Sequence, residues 1–208
     1  MTTARTRVGI LVFPDVEVLD FCGPFEVFSV TRLDDVRRRQ DPSPFEVRLV
    51  AETRDVVVAT GGLRVLPDCA VAECPPLDVL VVPGGWGTRR LLEHRPLLDW
   101  IAARGGAAPM LTSVCTGALL LGRVGLLDGR RATTHWRSLG LLRTIAPRAT
   151  VEDGLHVVED GRVVTSAGIS AGIDMALRVV ARLYGERVAR ETARHMEYPY
   201  PEDVRRRI

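Results

Sequence analysis

Short apolar runs bounded by turn residues alternate along this chain with longer amphipathic stretches, and that alternation restricts it to a mostly parallel sheet with helices on its faces. The apolar runs at residues 8–13, 45–50, 79–82, 110–114, 131–134 and 162–166 are the expected strands. A near-continuous run such as Val79-Leu80-Val81-Val82 suits a strand covered on both faces, because helical crossovers leave a parallel strand no wet side. Residues 25–33, 88–104, 117–125, 137–145, 170–184 and 186–197 are the expected helices, the first opening on Pro24 with Gly23 as its cap. Residues 56–66, split by Gly61-Gly62, and 155–164, split by Asp160-Gly161, read as hairpins. No repeat, linker or low-complexity segment divides the chain, so residues 1–208 are expected to form a single domain.

Hydrophobic residues make up 46% and charged residues 26%, close to globular averages, which excludes a disordered or fibrous chain. All 28 basic side chains are arginines, for the sequence has no lysine and no asparagine. Schiff-base catalysis, pyridoxal phosphate attachment and a phosphate loop of the Gly-Lys-Ser/Thr type are thereby excluded. Against 26 acidic residues the net charge is only +2, and the basic runs at 37–39 and 205–207 are short, so nucleic acid is not an expected partner. Cys22, Cys69, Cys74 and Cys115 come without a secretory leader, since the apolar run 8–13 ends at Pro14-Asp15, and reduced thiols in a cytoplasm are expected. The uncharged stretch between Arg104 and Arg123 is interrupted by Pro109, Thr112, Ser113, Thr116 and several glycines, so no membrane span is expected.

In an open sheet of this kind ligands bind beyond the carboxyl ends of the strands, and chemistry is to be sought just after each expected strand. Met110-Leu-Thr-Ser-Val114 runs through Cys115-Thr116-Gly117 into a helix. Cys115 therefore sits on a sharp strand-to-helix turn, where the helix dipole and free amides favour a thiolate and the Thr116 amide points at a developing anion. A small buried hydrophobe is the alternative, and it is the reading adopted for Cys22, Cys69 and Cys74, which lie on no such turn and lack the ligand pairs of a zinc site. Pro83-Gly84-Gly85-Trp86-Gly87, after residues 79–82, offers backbone amides to a ligand, or is only a tight turn. Glu17 and Asp20, after the first strand, approach the same sheet edge; with the helix capped by Gly23, Asp20 is free to exchange protons with a substrate on Cys115, or else is an ordinary surface carboxylate. Gly168-Ile169-Ser170-Ala171-Gly172 matches a hydrolase pattern, but only Asp174, on the same helix, stands between it and His195, so Ser170 is read as a helix cap. His135 alone of the histidines directly follows an expected strand and can approach Cys115; His94, His156 and His195 read as surface or helix positions, and no pair has metal-ligand spacing.

Together these places resemble the ThiJ/PfpI superfamily, and within it the isonitrile hydratase-like branch, over nearly the whole chain. The resemblance is carried by Phe13-Pro14 with Leu19-Asp20 and Gly23-Pro24, by Pro83-Gly84-Gly85, and by Thr112-Ser-Val-Cys-Thr-Gly117 with Gly125-Leu-Leu. It continues through Gly129-Arg-Arg-Ala-Thr-Thr-His-Trp136, Gly168-Ile169 with Ala171-Gly-Ile-Asp174, and Glu197-Tyr198. It implies an α/β, flavodoxin-like three-layer sandwich of the class I glutamine amidotransferase-like kind, forming a homodimer without metal or organic cofactor. Protease and deglycase members are similar at the elbow cysteine, but typically carry a glutamate near the first strand and often a histidine after the cysteine. Asp20 and Thr116 depart from both and match the hydratase branch. The resemblance then implies that Cys115 attacks the terminal carbon of an isonitrile to form a thioimidate, that Asp20 shuttles protons and activates water, and that Thr116 orients the thiol or the water. The amides of Thr116 and Gly85 would lie near the polar atoms, Gly168, Ile169, Tyr198 and His135 would contact the substrate, and an N-substituted formamide would leave. The Cys-Thr-Gly and Arg-Ala-Thr-Thr-His-Trp motifs are also similar to sensor domains of AraC-type transcription regulators. The residues after Tyr200 are too few for a DNA-binding domain, so that alternative is a metabolite sensor acting through a partner. A third is an oxidative-stress role in which Cys115 is itself oxidised.

Overall fold

The computed structural model describes residues 4–205. The chain runs β1 (Thr6–Leu11), α1 (Val18–Val30), β2 (Phe45–Ala51), β3 (Val57–Val58), β4 (Arg64–Val65), β5 (Cys69–Ala70), β6 (Val79–Val82), α2 (Thr88–Leu91), α3 (Arg95–Ala107) and β7 (Met110–Val114). It continues with α4 (Gly117–Arg123), β8 (Arg131–Ala132), α5 (Leu139–Ile145), β9 (Thr150–Val151), β10 (Val157–Asp160), β11 (Val163–Ser166), α6 (Ala171–Tyr184) and α7 (Glu186–His195). Among the described residues seven strands form one sheet in the order β10-β11-β7-β6-β1-β2-β5, parallel throughout except for β10. Helices α1, α6 and α7 pack on one another as one layer, and α2, α3, α4 and α5 as a second, giving a flavodoxin-like sandwich. Every residue of β6 and β7 is buried, as the unbroken apolar runs require of central strands covered twice.

Several expected boundaries moved, each for a local reason. The first helix starts at Val18, not at residue 25, so Pro24 lies inside it and Gly23 caps nothing. Pro24 has no amide to give the Asp20 carbonyl, yet Phe21, Val27 and Phe28 are all buried, and that shared apolar face holds the helix across the missing bond. The expected helix over 88–104 is two helices, because Pro96 supplies no amide to Leu92; His94 restarts the second, its Nδ1 accepting the Leu97 amide at 3.4 Å. Residues 131–134 do not enter the main sheet. Only Arg131–Ala132 are extended, paired with β9, because the next two residues are committed to lateral bonds: the Thr133 amide donates to Thr165 Oγ1 at 2.8 Å and Thr134 Oγ1 to the Cys115 carbonyl at 2.7 Å. Both expected hairpins are present, β3 with β4 and β10 with β11.

One edge of the sheet is the two-residue strand β5. At the other edge, beyond β10, the His156 amide donates to the Val204 carbonyl at 2.6 Å and Leu155 forms an antiparallel bridge with Arg205. Among the described residues no helix is long and apolar enough to cross a membrane. Leu80, fully buried in β6, tests the core: Leu80→Ala is expected to cost about 2–5 kcal/mol in chemical denaturation. An unchanged midpoint would remove β6 from the centre of the fold.

Candidate active site

Strand register brings four loop starts together. Ile10 pairs with Val81, Val82 with Ser113, and Val114 with Ser166, so β1, β6, β7 and β11 end side by side. From β1 the chain builds β2 and β5 to one side and later β6, β7 and β11 to the other, which makes the β1–β6 boundary a switch point where a crevice opens.

Cys115 leaves β7 with φ 56°, the left-handed region that non-glycine residues avoid. Its amide donates to the carbonyls of Ser166 at 3.2 Å and Ala167 at 3.0 Å, and its carbonyl accepts the Thr134 hydroxyl at 2.7 Å. Both backbone polar groups are thus held from outside the turn, and the strained conformation is over-determined. The amides of Thr116 and Ile169 are directed at its sulfur, and Ile169 is itself left-handed, with φ 55°. The thiol is nevertheless not activated in isolation. Burial pushes it up to about 12, the nearby Asp20 charge adds to the rise, and the two amides pull the other way without prevailing. The sequence-based expectation of a thiolate favoured by the helix end is corrected here: α4 is seven residues long, and desolvation outweighs what it offers.

Asp20 is fully buried, not a surface carboxylate. Its Oδ2 accepts the Gly84 amide at 2.8 Å, while Oδ1 is buried with no well-formed hydrogen bond, in a carboxyl that interacts with the Cys115 thiol. Burial raises the Asp20 carboxyl to about 8; the Gly84 amide lowers it, the Glu17 charge raises it again, and the Cys115 contact lowers it. The carboxyl and the thiol form one coupled unit whose first proton is lost far above the usual carboxylate range.

Gly85 has φ 128°, and a Cβ there would lie 2.4 Å from the Asp15 carbonyl oxygen, so only glycine fits. Its amide does not face open space: it donates to Thr116 Oγ1 at 3.0 Å, and Thr88 Oγ1 lies 3.1 Å from the same oxygen. Gly168 is the seat of His135, whose Cδ2 would be 2.2 Å from a Cβ at that position. Cys115, Thr116, Gly85, His135 and Ile169 line one pocket of about 370 Å³, which Glu17 and Ser138 also reach. Tyr198 is not brought to it; its hydroxyl donates to Asp174 Oδ1 at 2.7 Å. His156, expected at the surface, lies beside that aspartate, Nε2 to Oδ2 3.4 Å, with 13% of its side chain exposed. Ser170 does precede α6, but its hydroxyl makes no capping bond. The sequence reading passed over Trp86, Arg89, Trp136 and Arg137, which complete the lining. The signal was there in two tryptophans, each within three residues of an arginine and each just past a glycine-rich or Thr-Thr-His turn.

The DJ-1/PfpI family model matches residues 6–182. The chain is 41% identical over 192 residues to isonitrile hydratase of Pseudomonas putida, covering 92% of this chain and 78% of that protein. It is 33% identical over 179 residues to the HTH-type transcriptional regulator CdhR of Pseudomonas aeruginosa, covering 86% of this chain but only 51% of the regulator. Among solved structures, a ThiJ/PfpI family protein from Pseudomonas syringae superposes with a TM-score of 0.82 at 33% identity, covering 96% of this chain and 78% of that one.

The buried carboxyl has a thermodynamic signature. Its folded value is raised, so the stability associated with the neutral form is complete below the ordinary carboxylate value of about 4 and is lost as pH rises through about 8. The wild-type Tm is expected to fall relative to that of Asp20→Asn across this window and to run parallel to it above. Parallel curves from pH 4 to 9 would mean that Asp20 ionises in the folded protein as it does in water.

Proposed function

The chain belongs to the DJ-1/PfpI family, and on that premise we propose that it hydrates isonitriles to N-substituted formamides, with Cys115 as nucleophile and Asp20 as proton carrier. The observation that carries this reading is the buried Asp20 carboxyl set behind the Cys115 thiol, which itself lines a pocket. A thiol that burial holds protonated needs a base in contact with it, and a carboxyl titrating near 8 is one that can return the proton at neutral pH.

The steps balance through one proton. Asp20 accepts the thiol proton as Sγ bonds to the terminal isonitrile carbon, and gives it to that same carbon, leaving a thioimidate, Sγ–CH=N–R. Water then adds across the C=N bond, oxygen to carbon and hydrogen to nitrogen. The C–S bond breaks, the carbinol proton returns to sulfur through Asp20, and R–NH–CHO leaves. The amides of Thr116 and Ile169, directed at sulfur, favour its anionic form at both stages. Thr116 Oγ1, held by the Gly85 amide, orients the thiol or the incoming water. Oδ2 of Asp20, tied to the Gly84 amide, fixes the carboxyl so that Oδ1 does the transfer. Ile169 and His135 contact the substituent, and the His135 ring is seated there because residue 168 has no side chain. In this reading the enzyme is a cytoplasmic homodimer acting on a small molecule.

A second reading, a metabolite sensor acting through a partner, is supported by the likeness to CdhR and uses the same pocket without turnover. Incubation with cyclohexyl or aromatic isonitrile, followed by the formyl proton of the product, separates the two. Cys115→Ala is expected to abolish formamide formation with the fold intact, and full activity in that variant would end the proposal. Asp20→Asn is expected to slow turnover by about 10²–10⁴-fold. Because the unit must lose one proton to generate the nucleophile, wild-type kcat/KM is expected to rise with pH to a plateau above about 8, and Asp20→Asn to lose that step. Ligand binding with no turnover in the folded wild type would favour the sensor.

A further inference from the structure

The mouth of the pocket carries a chemistry that isonitrile hydration does not use. Trp86 is 66% exposed and Trp136 49%, an unusual placement for the largest apolar side chain, and both line the pocket above Cys115. Each has an arginine laid on its ring: Arg89 Cζ is 4.7 Å from the Trp86 centroid, and Arg137 Cζ is 4.7 Å from that of Trp136. Among the described residues neither guanidinium forms an ion pair or a side-chain hydrogen bond, whereas Arg90, next along α2, pairs with Asp15 at 2.8 Å. An indole face restrains and partly desolvates a guanidinium while leaving its N–H edge unoccupied, so less is lost when an anion arrives. The lining sets these two cations against one carboxylate, Glu17.

An isonitrile group is linear, so a substrate with its terminal carbon at Cys115 sends its substituent outward, toward these pairs. Resting on the hydration reading above, we propose that the pocket selects isonitriles carrying a carboxylate at the far end of an apolar skeleton, the carboxylate held by Arg89 and Arg137 and the skeleton by Trp86, Trp136 and Ile169. Arg89 and Arg137 act on specificity and leave the chemistry to the Asp20–Cys115 unit.

Cyclohexyl isonitrile and its ring-carboxylated counterpart form a matched pair of substrates. Wild type at low salt is expected to favour the carboxylate by tenfold or more in kcat/KM. That ratio is expected to fall about tenfold in Arg89→Gln and in Arg137→Gln, and to shrink as ionic strength rises. Binding supplies a readout without turnover: the formamides corresponding to the two substrates are titrated into Cys115→Ala, with and without each Gln substitution, and followed by indole fluorescence. Arginine-dependent preference for the carboxylated formamide, together with a folded wild type that converts neither isonitrile, would sink the hydration reading and leave anion selection standing. Equal binding of the two formamides, or equal weakening of both by the Gln substitutions, would overturn the inference whatever the turnover.

Discussion

Everything distinctive in this molecule hangs from one turn that the backbone would not choose. Cys115 holds a left-handed conformation because its neighbours leave it no alternative: two carbonyls from the end of β11 take its amide, and a threonine hydroxyl from a distant loop takes its carbonyl. The strain at this residue aims its side chain at the crevice, and it is maintained by a lateral arrangement of strands that the core enforces for its own reasons. A small relaxation of β11 against β7 would alter the two carbonyl contacts and with them the direction of the thiol.

Burial then does to Asp20 and Cys115 what neither could do alone. Burial alone keeps this thiol protonated and makes a lone carboxyl a cost to folding, but beside each other they form a pair whose first proton comes off at about 8, far above the usual carboxylate range. The glycines of the loop after β6 are part of the same device. Their lack of side chains lets the backbone come close enough for the Gly84 amide to anchor the carboxyl and the Gly85 amide to anchor the Thr116 hydroxyl.

The sheet and its helices were legible because apolar runs and amphipathic stretches are local signals, and β1, β2, β6, β7 and β11 lie close to where the pattern put them. The elbow was legible for the same reason: a buried strand running into Cys-Thr-Gly and a helix leaves little choice of geometry. What escaped the sequence is whatever depends on a partner far along the chain. Pro24 reads as a helix start, and only the apolar face of α1 against the sheet shows why the helix runs through it. Thr133 and Thr134 read as a strand, and their commitment to Thr165 and Cys115 is invisible without the fold. The helix-end argument for Cys115 named the Thr116 amide but neither the Ile169 amide nor the depth of burial, which raises the thiol. Tyr198, after α7, and His156, just before β10, meet at Asp174 of α6, a convergence no spacing in the sequence encodes.

The two ends of the main sheet bear on how copies of this chain can meet. A sheet edge with open amides and carbonyls invites another strand to add to it, and such addition can continue without limit. Here one terminal strand is two residues long, and at the other Leu155 and His156, just before β10, are paired with Arg205 and Val204. Strand-by-strand growth toward fibrils is therefore limited at one margin by the length of β5 and, at the start of the other, by a segment of the chain's own that already occupies the pairing groups.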